Sequence, residues 1–247
     1  MAWTSLANRL ESLPLIICGP ILRRTESDSV TVWFVLKEDK NCVINIYGSP
    51  TSETPFLTGA QSNGIKIGEY VYVYCITAYP INEFNLNKGV NYYYDIQFGN
   101  IILSQLISSG LDLTFANSNR PSFSLPPDDI NLLRIIHGSC RMPHGEGQDA
   151  MEGIHDMIEM ALQSDGSPIN RPHMLLLTGD QIYGDDVADV LLFMINDAAN
   201  VLFGWDETVY NLESNLSPGH RNFKNFIRNQ IGFTAMLPNS KKKKKSH

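Results

Sequence analysis

The sequence is poor in several features, and each absence narrows the reading. Only 4 of the 247 residues are cysteine, and those at 18, 42, 75 and 140 show no C-x-x-C spacing. Neither a zinc ribbon nor a disulfide framework is indicated, and reduced thiols in a cytosol fit best. No apolar run approaches the length of a membrane span, and Arg9 and Glu11 stand where a secretory leader would be apolar. Those absences exclude membrane integration and predict a cytoplasmic protein. Positive charge is scarce where it matters. Between Asp128 and Glu213 there are sixteen acidic residues against three arginines and no lysine. The net charge of -7 becomes -12 once the five lysines 241–245 are set aside. That body does not suit binding to a nucleic-acid backbone; it is either a solvated acidic surface or one that gathers cations.

What is present is a globular composition, with 43% hydrophobic and 18% charged residues, in a chain long enough for one large domain or two ordinary ones. Trp3, Leu6, Ala7, Leu10 and Leu13 recur at helical spacing and predict a short opening helix. Short β-rich runs follow over 15–18, 30–36, 42–47, 69–78, 90–98 and 101–106, separated by turn residues such as Asn63-Gly64 and Gly99-Asn100. Their spacing predicts an antiparallel β-sandwich over residues 1–120. Tyr70, Tyr72 and Tyr74 share one strand face, which is either a stacking platform or, more in keeping with ordinary strand composition, a packed face.

A polar, proline-rich stretch at 121–131 reads as a linker that cannot carry a central strand. From 132 to 240 the texture changes to apolar run, helical pattern, apolar run, helical pattern: 132–136, 148–163, 174–177 and 185–201. Apolar runs without polar alternation predict parallel strands buried on both faces in an α/β domain. The lysine-rich end, 241–247, has no apolar periodicity and is expected to be disordered.

Ligands of open α/β sheets gather at the carboxyl ends of strands, which directs attention to the segments after the two apolar runs. The first is His137-Gly-Ser-Cys-Arg-Met-Pro-His144-Gly-Glu-Gly-Gln-Asp149, and the second is Thr178-Gly-Asp-Gln-Ile-Tyr183-Gly-Asp-Asp186. Asp180 follows a glycine on a tight turn, so its carboxylate can project clear of the sheet and bridge two cations. Tyr183 stands one helical turn further on. Cys140 is a metal ligand or nucleophile as a thiolate, and packing as a thiol. Thiolate, carboxylate and phenolate together suit a transition ion such as iron, while Asp149, Asp185 and Asp186 are spare carboxylates for a harder second ion. Arg141 and His144 either grip an anionic substrate or serve locally, Arg141 by pairing with an acid and His144 by bonding to backbone.

Residues 19–36 (Gly-Pro-Ile-Leu-Arg-Arg … Val-Thr-Val-Trp-Phe), the block His137–Asp149 and Leu175-Leu-Leu-Thr-Gly-Asp-Gln-Ile-Tyr183 resemble the alkaline phosphatase D-like metallophosphatases. The resemblance implies an immunoglobulin-like or fibronectin-like sandwich ahead of a metallophosphoesterase domain that hydrolyses phosphate mono- or diesters with iron and calcium. It also implies that Cys140 and Tyr183 bind iron and that Asp180 bridges both ions at the reacting centre, where Arg141 and His144 are the candidates for gripping the anionic substrate. The departure is equally specific. The Asn-His or Asp-His element and the later histidine element of that family are absent, since His220 and His247 lie in other contexts. The expectation is therefore a C-terminally truncated relative, either completed by another polypeptide or catalytically silent, with its last strand and helix faces uncovered.

Overall fold

The computed structural model describes residues 4–116, 118–142, 149–164, 168–183 and 189–205. His144, Asp185, Asp186 and the lysine-rich tail lie outside the described residues. The chain forms two compact units, one of Pro14–Ile67 with Val71–Gln181 and one of Met1–Leu13, Gly68–Tyr70 and Ile182–His247.

The larger unit is mostly β. Its antiparallel sheet has nine strands: β1 (Ile16–Thr25), β2 (Val30–Leu36), β3 (Cys42–Tyr47), β4 (Leu57–Gln61), β5 (Ile65–Gly68), β6 (Val71–Pro80), β7 (Asn91–Phe98), β8 (Ile101–Ile102) and β9 (Ser122–Ser124). The order along the sheet is β1-β2-β6-β4-β3-β7-β8, with β5 added beside β6 and β9 beside β7. Strand β6 pairs with β2 through residues 72–78 and with β4 through its last two, Tyr79 and Pro80. It therefore belongs to both halves of the sheet, which curls.

Period-two alternation fills the core. Val30, Val32, Phe34 and Leu36 of β2 are fully buried, as are Cys42, Ile44 and Ile46 of β3. Tyr92, Tyr94, Ile96 and Phe98 of β7 point the same way. Tyr74 is part of this core and not a platform: its ring stacks on Phe34 at 5.1 Å, and Phe98 meets Phe34 edge-on at 5.4 Å. Its hydroxyl donates to Asp39 Oδ1 at 2.6 Å and accepts from the Lys40 amide at 2.7 Å, so the buried phenol is satisfied. Burial pushes the Cys42 thiol up to about 12, which keeps it neutral. None of the four cysteines is in a disulfide.

Three departures from the sequence reading have local causes. Strands β4 and β5 were not anticipated, because Leu57-Thr-Gly-Ala-Gln61 is short and carries a glycine. Gly59 is required there, since a Cβ would stand 2.2 Å from the Thr77 carbonyl oxygen of the strand alongside. The run after Gly99-Asn100 is a strand only at Ile101–Ile102 and then turns into the helix α1 (Leu103–Ser108). The proline-rich stretch contains β9, an edge strand and so compatible with its flanking prolines.

Two arginines, Arg120 half-buried and Arg171 buried, order the rest of this unit. Arg120 donates to Asp95 at 3.3 Å and to the Ser52 carbonyl at 2.6 Å, and its guanidinium lies 3.9 Å from the centroid of the Tyr47 ring. Arg171, 5% exposed, follows a 3₁₀ turn at Pro168–Asn170 and donates to Asn91 Oδ1, Ser122 Oγ and the Ser122 carbonyl. Burial pushes its guanidinium down to about 10, with Tyr93 opposing the shift.

Beyond the curled sheet, β10 (Ile135–Ser139) and β11 (Met174–Thr178) form a two-stranded parallel sheet, joined through α2 (Met151–Ser164). Parallel pairing agrees with the sequence reading; burial does not. Ile135, Met174, Leu175, Leu176 and Leu177 are 40–47% exposed, so both faces of the pair are wetted.

In the smaller unit the opening segment is a 3₁₀ helix, Leu6–Ser12, in place of the anticipated α-helix. Asp197 of α3 (Asp189–Leu202) holds its start, accepting from Ser5 Oγ at 2.6 Å and from the Leu6 amide at 2.7 Å. These bonds hold the Asp197 carboxyl below the usual range. The end of α3 is extended by amides of Glu69 and Tyr70, which donate to the carbonyls of Phe203 and Leu202. No helix among the described residues is long and apolar enough to cross a membrane.

Candidate functional site

The site begins with strand register. Ser139 is opposite Thr178 at the ends of β10 and β11, so the next residues, Cys140 and Gly179, leave the sheet side by side. The Cys140 amide donates to the Thr178 carbonyl at 3.0 Å and carries the ladder one step past the strand. Both residues then turn into the left-handed region, Cys140 at φ +53 and Gly179 at φ +67. Glycine adopts that conformation freely; for a cysteine it is strained, and such strain tends to collect where a side chain must be aimed.

The turn aims the Cys140 sulfur at its neighbour. A Cβ at position 179 would stand 2.6 Å from Cys140 Sγ and 2.9 Å from Ser139 Oγ, so only glycine fits. Thiol and glycine backbone are thus in contact, and the exposed Asp180 carboxylate is one residue further along. Two of the anticipated ligands are brought to one strand end by this packing. Beside them His137 Nε2 and Thr178 Oγ1 are 2.9 Å apart, bridging β10 and β11, and Gln181 Nε2 donates to the Thr178 carbonyl at 3.0 Å. His137 opens the first loop motif but carries no motif of its own, so nothing in the sequence singled out this bridge.

Arg141 and Asp149 form the second part. Arg141 Nη2 is 2.5 Å from Asp149 Oδ2 and its Nε is 3.3 Å from Oδ1, a two-point contact. Oδ1 also accepts from the Met151 amide in the first turn of α2, at 3.2 Å. The guanidinium and that amide hold the Asp149 carboxyl below the usual range, and the same pairing raises Arg141. Of the two roles open to Arg141, pairing with a nearby acid is the one seen. Both Asp149 oxygens are engaged in these contacts.

A cavity of about 260 Å³ lies behind the strand ends, lined by His137, Ser139, Arg141, Asp149, Met151 and Leu177 among others. Tyr183 is half-buried and belongs to the smaller unit, whereas Cys140 and Asp180 belong to the larger. Among the described residues no group of three or more histidine, cysteine, aspartate or glutamate side chains forms a metal site. The strand ends thus carry a soft thiol and a hard carboxylate at neighbouring positions.

That arrangement defines a class of site, a thiol-carboxylate pair at the carboxyl ends of parallel strands. Comparison with known proteins adds little to it. A solved structure of PhoD aligns with a TM-score of 0.38 at 14% identity, covering 66% of this chain and 27% of its own. The chain thus spans about a quarter of that protein's length, and a likeness at this level defines neither fold nor function. No protein-family model matches the chain, and no curated protein matches it.

Proposed function

We propose that the chain is a metal-dependent phosphoric ester hydrolase of the alkaline phosphatase D-like kind, acting on phosphate mono- or diesters. In this reading residues 1–120 are its sandwich domain, and residues 132–240 belong to a metallophosphoesterase domain. The observation that supports it most is the left-handed Cys140, whose sulfur is packed against Gly179 next to Asp180. A strained cysteine persists where glycine would be easier, and its position matches the motif that carries the family resemblance. Cys140 and Asp180 hold metal, and Arg141 leaves Asp149 to meet the anionic ester. Iron and calcium, when bound, supply Lewis acidity and a hydroxide near neutral pH.

The competing reading is a catalytically silent chain, in which the Arg141–Asp149 pair is a structural contact only. Turnover of p-nitrophenyl phosphate and bis(p-nitrophenyl) phosphate by the full chain, with iron and calcium added, separates the two. Activity that disappears in Asp180→Asn and Cys140→Ala supports the hydrolase. No turnover with either ester across iron, calcium, manganese and zinc supports the silent chain.

A further inference from the structure

Away from the strand ends, the larger unit has a cavity of about 520 Å³ beside the start of β7, within the range of roughly 300–1,000 Å³ usual for small-molecule sites. Tyr93, Phe115 and Leu162 give it apolar walls; Thr51, Asn91 and Asn119 give it hydroxyl and amide groups. A second depression of about 340 Å³ shares Asn119 and is otherwise lined by Ser104, Gln105, Ser108 and Ser109. Among the described residues, no charged side chain lines either one.

The charged groups nearby are already committed. Arg171 donates to Asn91 and Ser122, and Arg120 to Asp95 and the Ser52 carbonyl. Glu159 accepts from the Ala116 amide at 2.8 Å, which pins the Phe115 loop in a backbone turn where Ala116 has φ +53. Phe115 is further fixed by the His155 ring, 5.0 Å away. The aromatic wall is thus held in place by the fold. Ser108 and Ser109 donate their hydroxyls to the carbonyls of Ser104 and Leu106, leaving the hydroxyl lone pairs as acceptors.

We infer that these two adjoining cavities form a binding site for a neutral carbohydrate, a disaccharide or longer. One ring of the sugar packs on Tyr93 and Phe115 in the larger cavity, and its neighbour meets the serine and glutamine groups of the second, with Asn119 between them. The chemistry selects this class. Aromatic faces match the apolar C–H face of a sugar, amides and hydroxyls match its hydroxyls, and the absence of lining charge disfavours phosphates, nucleotides and amino acids. Two depressions that share Asn119 suit linked rings better than a single flat base. This site is separate from the strand-end site, and its ligand does not depend on the hydrolase reading.

The test is titration of the full chain with maltose, cellobiose and diacetylchitobiose by calorimetry and saturation-transfer NMR, with adenosine and inorganic phosphate as competitors. Binding of at least one disaccharide, with saturation transfer to ring protons, is the expected result. Tyr93→Ala and the exposed Asn119→Ala should each weaken it by about tenfold or more, while Tyr93→Phe, which keeps the ring, should weaken it less. If Tyr93→Ala does not fold, Asn119→Ala alone decides. The inference is overturned if no disaccharide binds, if binding survives Asn119→Ala unchanged, or if adenosine or phosphate displaces the sugar.

Discussion

Replacing Cys140 by glycine should make the protein more stable while removing whatever the thiol does. The residue sits at φ +53, where an L-amino acid pays about 1–2 kcal/mol relative to its right-handed conformations. Glycine avoids that strain but loses more freedom on folding, which offsets about 0.4–1 kcal/mol. The side chain is exposed, so little buried area is lost with it. The net expectation is a gain of about 0.5–1 kcal/mol, a rise in melting temperature of about 1–4 °C for a chain of this size. Urea denaturation at constant m-value measures it, with Cys140→Ala as the reference that removes the sulfur and keeps the strain. The functional half is read by phosphatase turnover and by metal retained on dialysis. A variant that is more stable and also inactive would show that strain is held for chemistry. If Cys140→Gly is less stable than Cys140→Ala, the argument from backbone strain is wrong.

Gly179→Ala should cost about 1–3 kcal/mol, because the new Cβ would meet the Cys140 sulfur in a left-handed turn. Part of that loss should return in the double variant with Cys140→Gly; full additivity in a double-mutant cycle would mean the two residues do not touch. Arg171→Met should destabilise the larger unit by about 1–3 kcal/mol, since it strips donors from the Ser122 carbonyl and Asn91 while relieving the burial of a charge. An unchanged urea midpoint would contradict it. Asp39 accepts from Tyr74 and the Gly64 amide, which hold its carboxyl below the usual range. Its contribution is therefore complete above the unfolded value of about 4 and lost as pH falls through the lower folded value. Asp39→Asn should flatten the acid limb of stability against pH, and a limb of unchanged slope would rule this out.

Much of the curled sheet was legible because burial on one face writes a period of two into the chain. Val30, Val32, Phe34 and Leu36 show it plainly, and the corresponding strand was placed at its observed ends. Leu57–Gln61 was hidden because its pairing depends on close backbone approach at Gly59, which leaves no alternation to read. The helix Leu103–Ser108 was hidden because its six residues are too few to set a 3.6-residue period against the strand before it. At the site, parallel register was foreseeable from two apolar runs separated by a helix, and so was the meeting of the Cys140 and Gly179-Asp180 loops. That Arg141 pairs with an acid is legible, but its partner is not, because nothing in the order of residues ranks Asp149 above the other nearby acids. The cavity beside Tyr93 had no local signature at all. Its walls come from residues as far apart as Thr51 and Leu162.

The wetted parallel pair also has a calorimetric consequence. Heat-capacity increments on unfolding follow the apolar area newly hydrated, and Leu175, Leu176 and Leu177 already meet solvent over more than two fifths of their surface. A scan of this protein should therefore give an increment below that expected for its length, with a correspondingly flatter dependence of folding free energy on temperature.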